Sequence, residues 1–227
     1  MKALVTGAAR GLGAVIAAQL SEDGFDVVTL DREPGCDLQL DLATEAVPDQ
    51  PDVDVVVANA AITTTIAPAH RMTDEQWQRD VDVNLSGAYK TIRACLPGMR
   101  ERGYGRIVAV SSAAARHGLP GQVAYAASKA GMLGMVRTIA AENVAKGITA
   151  NAILPGMVET EAVAAMPAEV REPLLASMPT GRFGKPLEVA QLVAFLASPI
   201  AGYITGEAIG IDGGLSLRTQ SLTRPRG

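Results

Sequence analysis

Short apolar runs alternate with longer helical patterns along almost the whole chain, and that alternation dictates βα units around a parallel sheet. Strands are predicted at Ala3–Thr6, Val27–Asp31, Val53–Asn59, Arg106–Ser111, Thr149–Leu154 and Ala208–Asp212. Helical patterns fill Leu12–Glu22, Glu75–Glu101, Tyr125–Lys146 and Pro186–Ala197, with a shorter one over Pro167–Met178. A chain of 227 residues suits one domain spanning 1–227, an α/β doubly wound parallel sheet with helices on both faces. Asp37–Leu42 reads as a short edge strand, but too little chain separates Asp31 from Val53 for a covering helix. The polar tail 216–227 is expected to be loosely held.

Composition narrows the class. Hydrophobic residues make up 48% and aromatics only 4%, a mix of small apolar side chains that suits helices packed closely on a buried sheet. The net charge is −4 and no basic stripe occurs, which argues against nucleic acid or an anionic membrane as partner. The start, MKALVTGAARGLG, lacks the apolar core of a secretion signal. No apolar run reaches the roughly 18 residues of a membrane span. Cys36 and Cys95 cannot build a disulfide framework, and His70 and His117 have no partner at metal-ligand spacing. No metal is expected. A soluble cytoplasmic protein is.

Three constellations carry chemistry. Thr6-Gly7-Ala8-Ala9-Arg10-Gly11-Leu12-Gly13 joins the first strand to the first helix. Glycines there let backbone N–H groups approach a pyrophosphate, and the helix N-terminus behind them favours negative charge. Tyr125 and Lys129 are four residues apart on a predicted helix and share a face. A cation beside the phenol favours the phenolate and lowers its pKa toward the range of a general acid/base. Ser111-Ser112 ends an apolar strand, thirteen residues before Tyr125 counting from Ser112, where ligands bind in open α/β sheets. Taken singly, a glycine turn, a surface helix pair and a strand-ending serine are equally ordinary readings.

Taken together these segments resemble the short-chain dehydrogenases/reductases, in the group near the 3-oxoacyl-carrier-protein reductases. TGAARGLG at 6–13, ANAA at 58–61, DVNLSGAY at 82–89, IVAVSS at 107–112, YAASKAG at 125–131, NAILPGMVET at 151–160 and ITGEAIGIDGG at 204–214 carry the resemblance in order. It implies a Rossmann-type fold and an NAD(P)-dependent oxidoreductase that interconverts a secondary alcohol and a carbonyl. Tyr125 then resembles the acid/base, Lys129 the residue that lowers its pKa and holds the nicotinamide ribose, and Ser112 the group that polarises the substrate oxygen. Asn84 resembles the residue whose backbone supports a water linking Lys129 to solvent. The resemblance puts Gly7, Arg10, Gly11, Leu12 and Gly13 along the pyrophosphate and adenosine side. It puts Asp41 and Leu42 beside adenine, and Asn59 and Ala60 beside the adenosine ribose. Pro155, Gly156, Val158 and Thr160 would seat the nicotinamide carboxamide.

Two departures stand out. Ala58-Asn59-Ala60-Ala61 replaces the usual Asn-Asn-Ala-Gly, adding a methyl near the cofactor, and the segment after Asp31 is shorter than usual. Asp31, ending the second strand, is placed to accept bonds from the adenosine ribose and to repel a 2′-phosphate. Arg10 and Arg32 pull the other way. NAD is therefore expected over NADP. The substrate is expected to be a small molecule against an apolar lining of Ala113, Ala114, Leu119, Met157 and Met166, although methionines there also suit packing. The resemblance and the small residues Ala126, Ala127, Ala130, Gly131 and Gly134, with Met132, Met135 and Val136, point to a homo-oligomer, a tetramer. The competing reading is a dinucleotide-binding regulator without catalysis; a pure binder has no need of Ser112, Tyr125, Lys129 and Asn84.

Overall fold

The computed structural model describes residues 1–217. Seven parallel strands form one sheet in the order β3-β2-β1-β4-β5-β6-β7. They are β1 (Lys2–Thr6), β2 (Asp26–Asp31), β3 (Leu38–Gln39), β4 (Val55–Ala58), β5 (Gly105–Val110), β6 (Ile148–Pro155) and β7 (Ala208–Ile211). Side chains alternate across the pleat. Leu4, Val56 and Ile107 bury toward one face, under helices α3 (Ala88–Arg102) and α5 (Val123–Asn143). Ala3, Val5, Val55, Val57 and Val108 bury toward the other, under α1 (Gly11–Glu22) and α8 (Pro186–Ala197). With both faces covered, the strands read as unbroken apolar runs.

The helical pattern expected over Glu75–Glu101 divides. Helix α2 (Asp74–Val81) starts from Thr73, whose hydroxyl and the Gln76 side chain form a reciprocal cap. A π-helical segment, Asp82–Gly87, then inserts before α3, a feature that often marks a functional site. Gly103, in the left-handed region at φ 67°, ends α3. Two helices of four residues, α4 (Ala114–His117) and α6 (Glu161–Ala164), are too short to show periodicity in sequence. Helix α7 spans Ala168–Ala176.

The expected strand Asp37–Leu42 shrinks to two residues. The Asp37 carboxylate instead accepts the Thr29 N–H at 2.9 Å and its hydroxyl at 2.7 Å, knotting the segment back onto β2. The strand expected over Val53–Asn59 is shorter as well, because the Asn59 N–H goes to the Thr6 hydroxyl at 3.0 Å rather than to the ladder. At the start of the tail, Ser216 is held: its N–H donates to Asp212 at 2.9 Å. Residues beyond 217 lie outside the described part. The chain leaves β1 toward β2 and β3, then returns to place β4 on the opposite side of β1. Sheets wound this way open a crevice at the carboxyl ends of those central strands, which is where ligands bind.

Candidate active site

A groove of about 800 Å³ runs along that crevice, within the size range of small-molecule sites. It begins at the glycine turn. Gly7, at φ 68°, sits so close to β4's exit that a Cβ would come within 2.8 Å of the Ala60 Cα. At Gly13 a Cβ would overlap the Gly7 carbonyl, so the cradle tolerates only hydrogen at both positions. The first turn of α1 carries no acidic residue and its N-terminus opens on the groove, as an anion-binding helix end requires. Thr6 fastens the cradle: its buried hydroxyl accepts the N–H groups of Asn59 and Ala60, each at 3.0 Å. Asn59 returns its amide to the Thr6 carbonyl at 2.9 Å. The sequence motif contains Thr6, but only the β1–β4 pairing shows what it does. The cradle fits a dinucleotide pyrophosphate.

Every residue expected to bind cofactor lines this groove: Gly7, Arg10, Gly11, Leu12, Gly13, Asp31, Asp41, Leu42, Asn59, Ala60, Tyr125, Lys129, Pro155, Gly156, Val158 and Thr160. So do Ser112 and Ala61. Asp31 faces the turn, its carboxylate accepting the N–H of Ala9 and of Glu33, both at 3.1 Å. Arg32 is diverted to Glu33 at 3.3 Å. Arg10 is exposed and makes no ion pair among the described residues. At the far end, backbone bonds clamp Met157 and Glu159 to Gly184: Glu159 N–H donates to the Gly184 carbonyl at 2.8 Å and Gly184 N–H to the Met157 carbonyl at 2.9 Å.

Tyr125 and Lys129 emerge from the first turns of α5. Lys129 is buried, and its Nζ donates to the Val110 carbonyl at 2.7 Å. It lies 5.8 Å from the centre of the Tyr125 ring. Burial pulls the Lys129 pKa down to about 7. Tyr125 departs from the sequence expectation: burial pushes its phenol above the usual tyrosine range, with the Ser112 hydroxyl pulling it back part of the way. Desolvation outweighs the i, i+4 cation, which is itself partly neutralised by the same burial. Ser112 follows β5 and its Oγ accepts the Ala114 N–H at 3.1 Å. Its neighbour Ser111 donates to the Lys129 carbonyl at 2.8 Å, fixing the strand end against α5. No role is expected for Ser111 from the sequence; its bond depends on the packing of β5 against α5, which local pattern does not encode.

Asn84 is the one catalytic candidate that does not line the groove. Buried in the π segment, its side chain accepts the Ile62 N–H at 2.7 Å and donates to the Ile62 carbonyl at 3.1 Å and Ser128 Oγ at 3.3 Å. It pins the lip after β4 to α5. Of the expected apolar lining, Met157 lines a second cavity of about 170 Å³ with Met178 and Val189, while Ala113, Ala114, Leu119 and Met166 line neither that cavity nor the groove. Met157 and Met166 pack with Val163, Met178 and Phe183 in a small core within the segment 157–183 that follows β6. Thr63, Thr64, Thr65, Arg79 and Glu161 stand at the mouth, so the entrance is more polar than expected. No group of three or more potential ligating side chains is placed for a metal among the described residues. Nor is any helix there long and apolar enough to cross a membrane.

A family model described as enoyl-(acyl carrier protein) reductase matches residues 36–216. The chain is 41% identical over 234 residues to acetoacetyl-CoA reductase of Rhizobium meliloti, covering 93% of this chain and 97% of that protein. It is 39% identical over 237 residues to a 3-oxoacyl-(acyl-carrier-protein) reductase of Thermotoga maritima, covering 93% and 96%. A solved structure described as a 2-deoxy-D-gluconate 3-dehydrogenase of Agrobacterium tumefaciens, with bound NADP, is similar at a TM-score of 0.88. That similarity has 32% identity and covers 96% of both chains.

Proposed function

Because the chain belongs to the short-chain dehydrogenase/reductase family, in its 3-oxoacyl-carrier-protein-reductase-like group, we infer that it interconverts a carbonyl and a secondary alcohol with a nicotinamide dinucleotide. One observation carries this reading: Ser112, Tyr125 and Lys129 converge on one wall of the groove whose other end is the glycine cradle. The nicotinamide supplies or accepts the hydride. Ser112 holds the substrate oxygen beside the phenol. Tyr125 delivers its hydroxyl proton to that oxygen in reduction and removes it in oxidation. Lys129, as an ammonium, would hold the nicotinamide ribose hydroxyls, return a proton to the Tyr125 phenolate after reduction, and be reprotonated from solvent. Asn84 keeps the π segment and α5 in register so that a proton can reach Lys129 from solvent.

Two hydroxyls facing one oxygen suit a C=O or CH–OH group, so the reading is of carbonyl reduction although the family model is described by its enoyl members. The names of the curated relatives make a 3-oxoacyl thioester the first substrate to try, and the polar mouth at Thr63–Thr65 and Arg79 accommodates a substrate that extends out of the groove. We place NAD ahead of NADP on the carboxylate of Asp31. The NADP bound by the Agrobacterium protein and the exposed Arg10 favour the other choice. The protein is read as a cytoplasmic homotetramer. Cofactor turnover against ketones, secondary alcohols, dihydrodiols and acyl thioesters tests the reading. Dinucleotide binding without turnover of any of them would favour the non-catalytic regulator.

A further inference from the structure

The adenine end of the groove rests on a segment with almost no secondary structure of its own. Between β2 and β4 only Leu38–Gln39 is strand, yet Asp41 and Leu42 form the wall there. Local bonds give the turn its shape. Asp41 Oδ1 accepts the Ala43 N–H at 2.9 Å, and Glu45 Oε2 accepts the Asp41 N–H at 2.7 Å. The Thr44 and Glu45 N–H groups reach the Asp41 carbonyl at 3.1 and 2.8 Å. None of these fixes the turn against the rest of the molecule.

Two contacts from the helical run after Asn84 do. Gly87 lies against Leu42, close enough that a Cβ on it would come within 2.9 Å of the Leu42 Cβ. One turn later, Lys90 donates its Nζ to the carbonyls of Leu42 at 2.9 Å and Ala43 at 3.4 Å. The ammonium is half-buried, makes no ion pair among the described residues and does not itself line the groove. A charged donor on carbonyls that no ladder uses forms the stronger kind of hydrogen bond. Leu42 and Val47 anchor the segment in the core, so the Lys90 bonds are not needed to keep it folded. What they fix is the direction of the peptide planes beside Asp41.

We propose that Lys90 is a positioning residue: by gripping the Leu42 and Ala43 carbonyls it sets the adenine wall, and with it the affinity for the adenosine half of the dinucleotide. The proposal rests on the dinucleotide reading above. Binding of ADP-ribose and of nicotinamide mononucleotide is measured by calorimetry for wild type, Lys90→Met and Lys90→Arg, alongside steady-state kinetics. For Lys90→Met, ADP-ribose affinity should fall about tenfold, as expected for losing a charge-assisted bond. Nicotinamide mononucleotide binding should stay within about twofold. The KM for the dinucleotide should rise about tenfold at an unchanged kcat, and Lys90→Arg should recover most of the loss. Should Lys90→Met fail to fold, Lys90→Gln, which keeps a donor without the charge, takes its place with an intermediate loss. ADP-ribose affinity equal to wild type, or equal losses for both ligands, would overturn the proposal. A wild type that binds neither ligand nor the intact dinucleotide would instead overturn the dinucleotide reading itself.

Discussion

Lys129 Nζ stands 5.8 Å from the ring centre of Tyr125 and is held there by the Val110 carbonyl at 2.7 Å. The pair comes from one helix, but the hold on the ammonium comes from the end of β5. Helix spacing therefore sets which residues meet, and the sheet sets how they meet. A buried ammonium with a single carbonyl partner is a poor way to stabilise a fold and a good way to prepare a proton-transfer site.

That cost is measurable. Burial lowers the Lys129 pKa to about 7, so the unfolded chain binds the proton more tightly than the folded one. Stability from this group is full above the ordinary lysine range, falls as pH drops from about 10.5 to about 7, and stays low below that. Lys129→Met should therefore stabilise the ligand-free protein by about 2 kcal/mol at pH 7, after allowing for the lost bond to Val110. The gain should fade as pH approaches 10. Thermal melts at several pH values check this; a variant less stable than wild type at pH 7 would contradict it.

Asp80 offers a second measurement of the same kind. It is buried in α2, takes the Thr65 hydroxyl at 2.7 Å on Oδ1, and has no partner for Oδ2. Desolvation raises its pKa against the opposing effects of Thr65 and Arg79. A raised carboxyl contributes stability that is present below the ordinary carboxylate range and lost as pH rises through the folded value. Asp80→Asn should thus raise Tm at pH 7, with the gain vanishing in acid. Equal melting of the two proteins at pH 7 would show that the buried charge carries no cost.

The proposed preference for NAD rests on Asp31. Its carboxylate is aimed by the Ala9 and Glu33 N–H groups at the edge of the glycine turn, where a 2′-phosphate would meet a like charge. Wild type should show a higher kcat/KM with NAD than with NADP, and Asp31→Ala should shift the ratio toward NADP by about tenfold. An unchanged ratio would move the determinant to Arg10.

Only part of the α5 surface is available to pair copies of the chain in the expected homo-oligomer. Met132 and Val136 turn into the chain's own core and need no second chain to cover them. Ala127, Ala130, Gly134 and Ala141 are exposed along one side of α5, and a Cβ on Gly134 would meet nothing within 4 Å. Small exposed residues permit a close helix–helix approach between copies. Light scattering should report a mass near four times 23.5 kDa, and Gly134→Arg should lower it without unfolding the subunit. A monomer mass at micromolar concentration for wild type would refute this.

The parallel sheet, its helices and a few groove residues could be read in the sequence because each rests on local pattern: apolar runs, the glycines around Arg10, the spacing of Tyr125 and Lys129. The other groove residues, from Asp41 to Thr160, were legible only through the resemblance to the family. What escaped depends on pairings far apart in the chain. Thr6 meets Asn59, Ser111 meets Lys129, and Lys90 meets Leu42 only after β1, β4 and β5 stand side by side. Where Met157 and Met166 lie depends likewise on their packing with Val163, Met178 and Phe183, which no local pattern encodes. The raised phenol of Tyr125 depends on burial, which spacing on a helix does not encode.

The most direct test removes one oxygen. Tyr125→Phe should bind the nicotinamide dinucleotide with an affinity close to wild type, since the phenol hydroxyl faces substrate, while losing turnover by at least about a hundredfold. Single-turnover rates on the best substrate, measured beside calorimetric binding on the same samples, separate the two. Near-normal rates in the Phe variant, or an equal loss of binding, would contradict the assignment of Tyr125 as the proton-transfer residue.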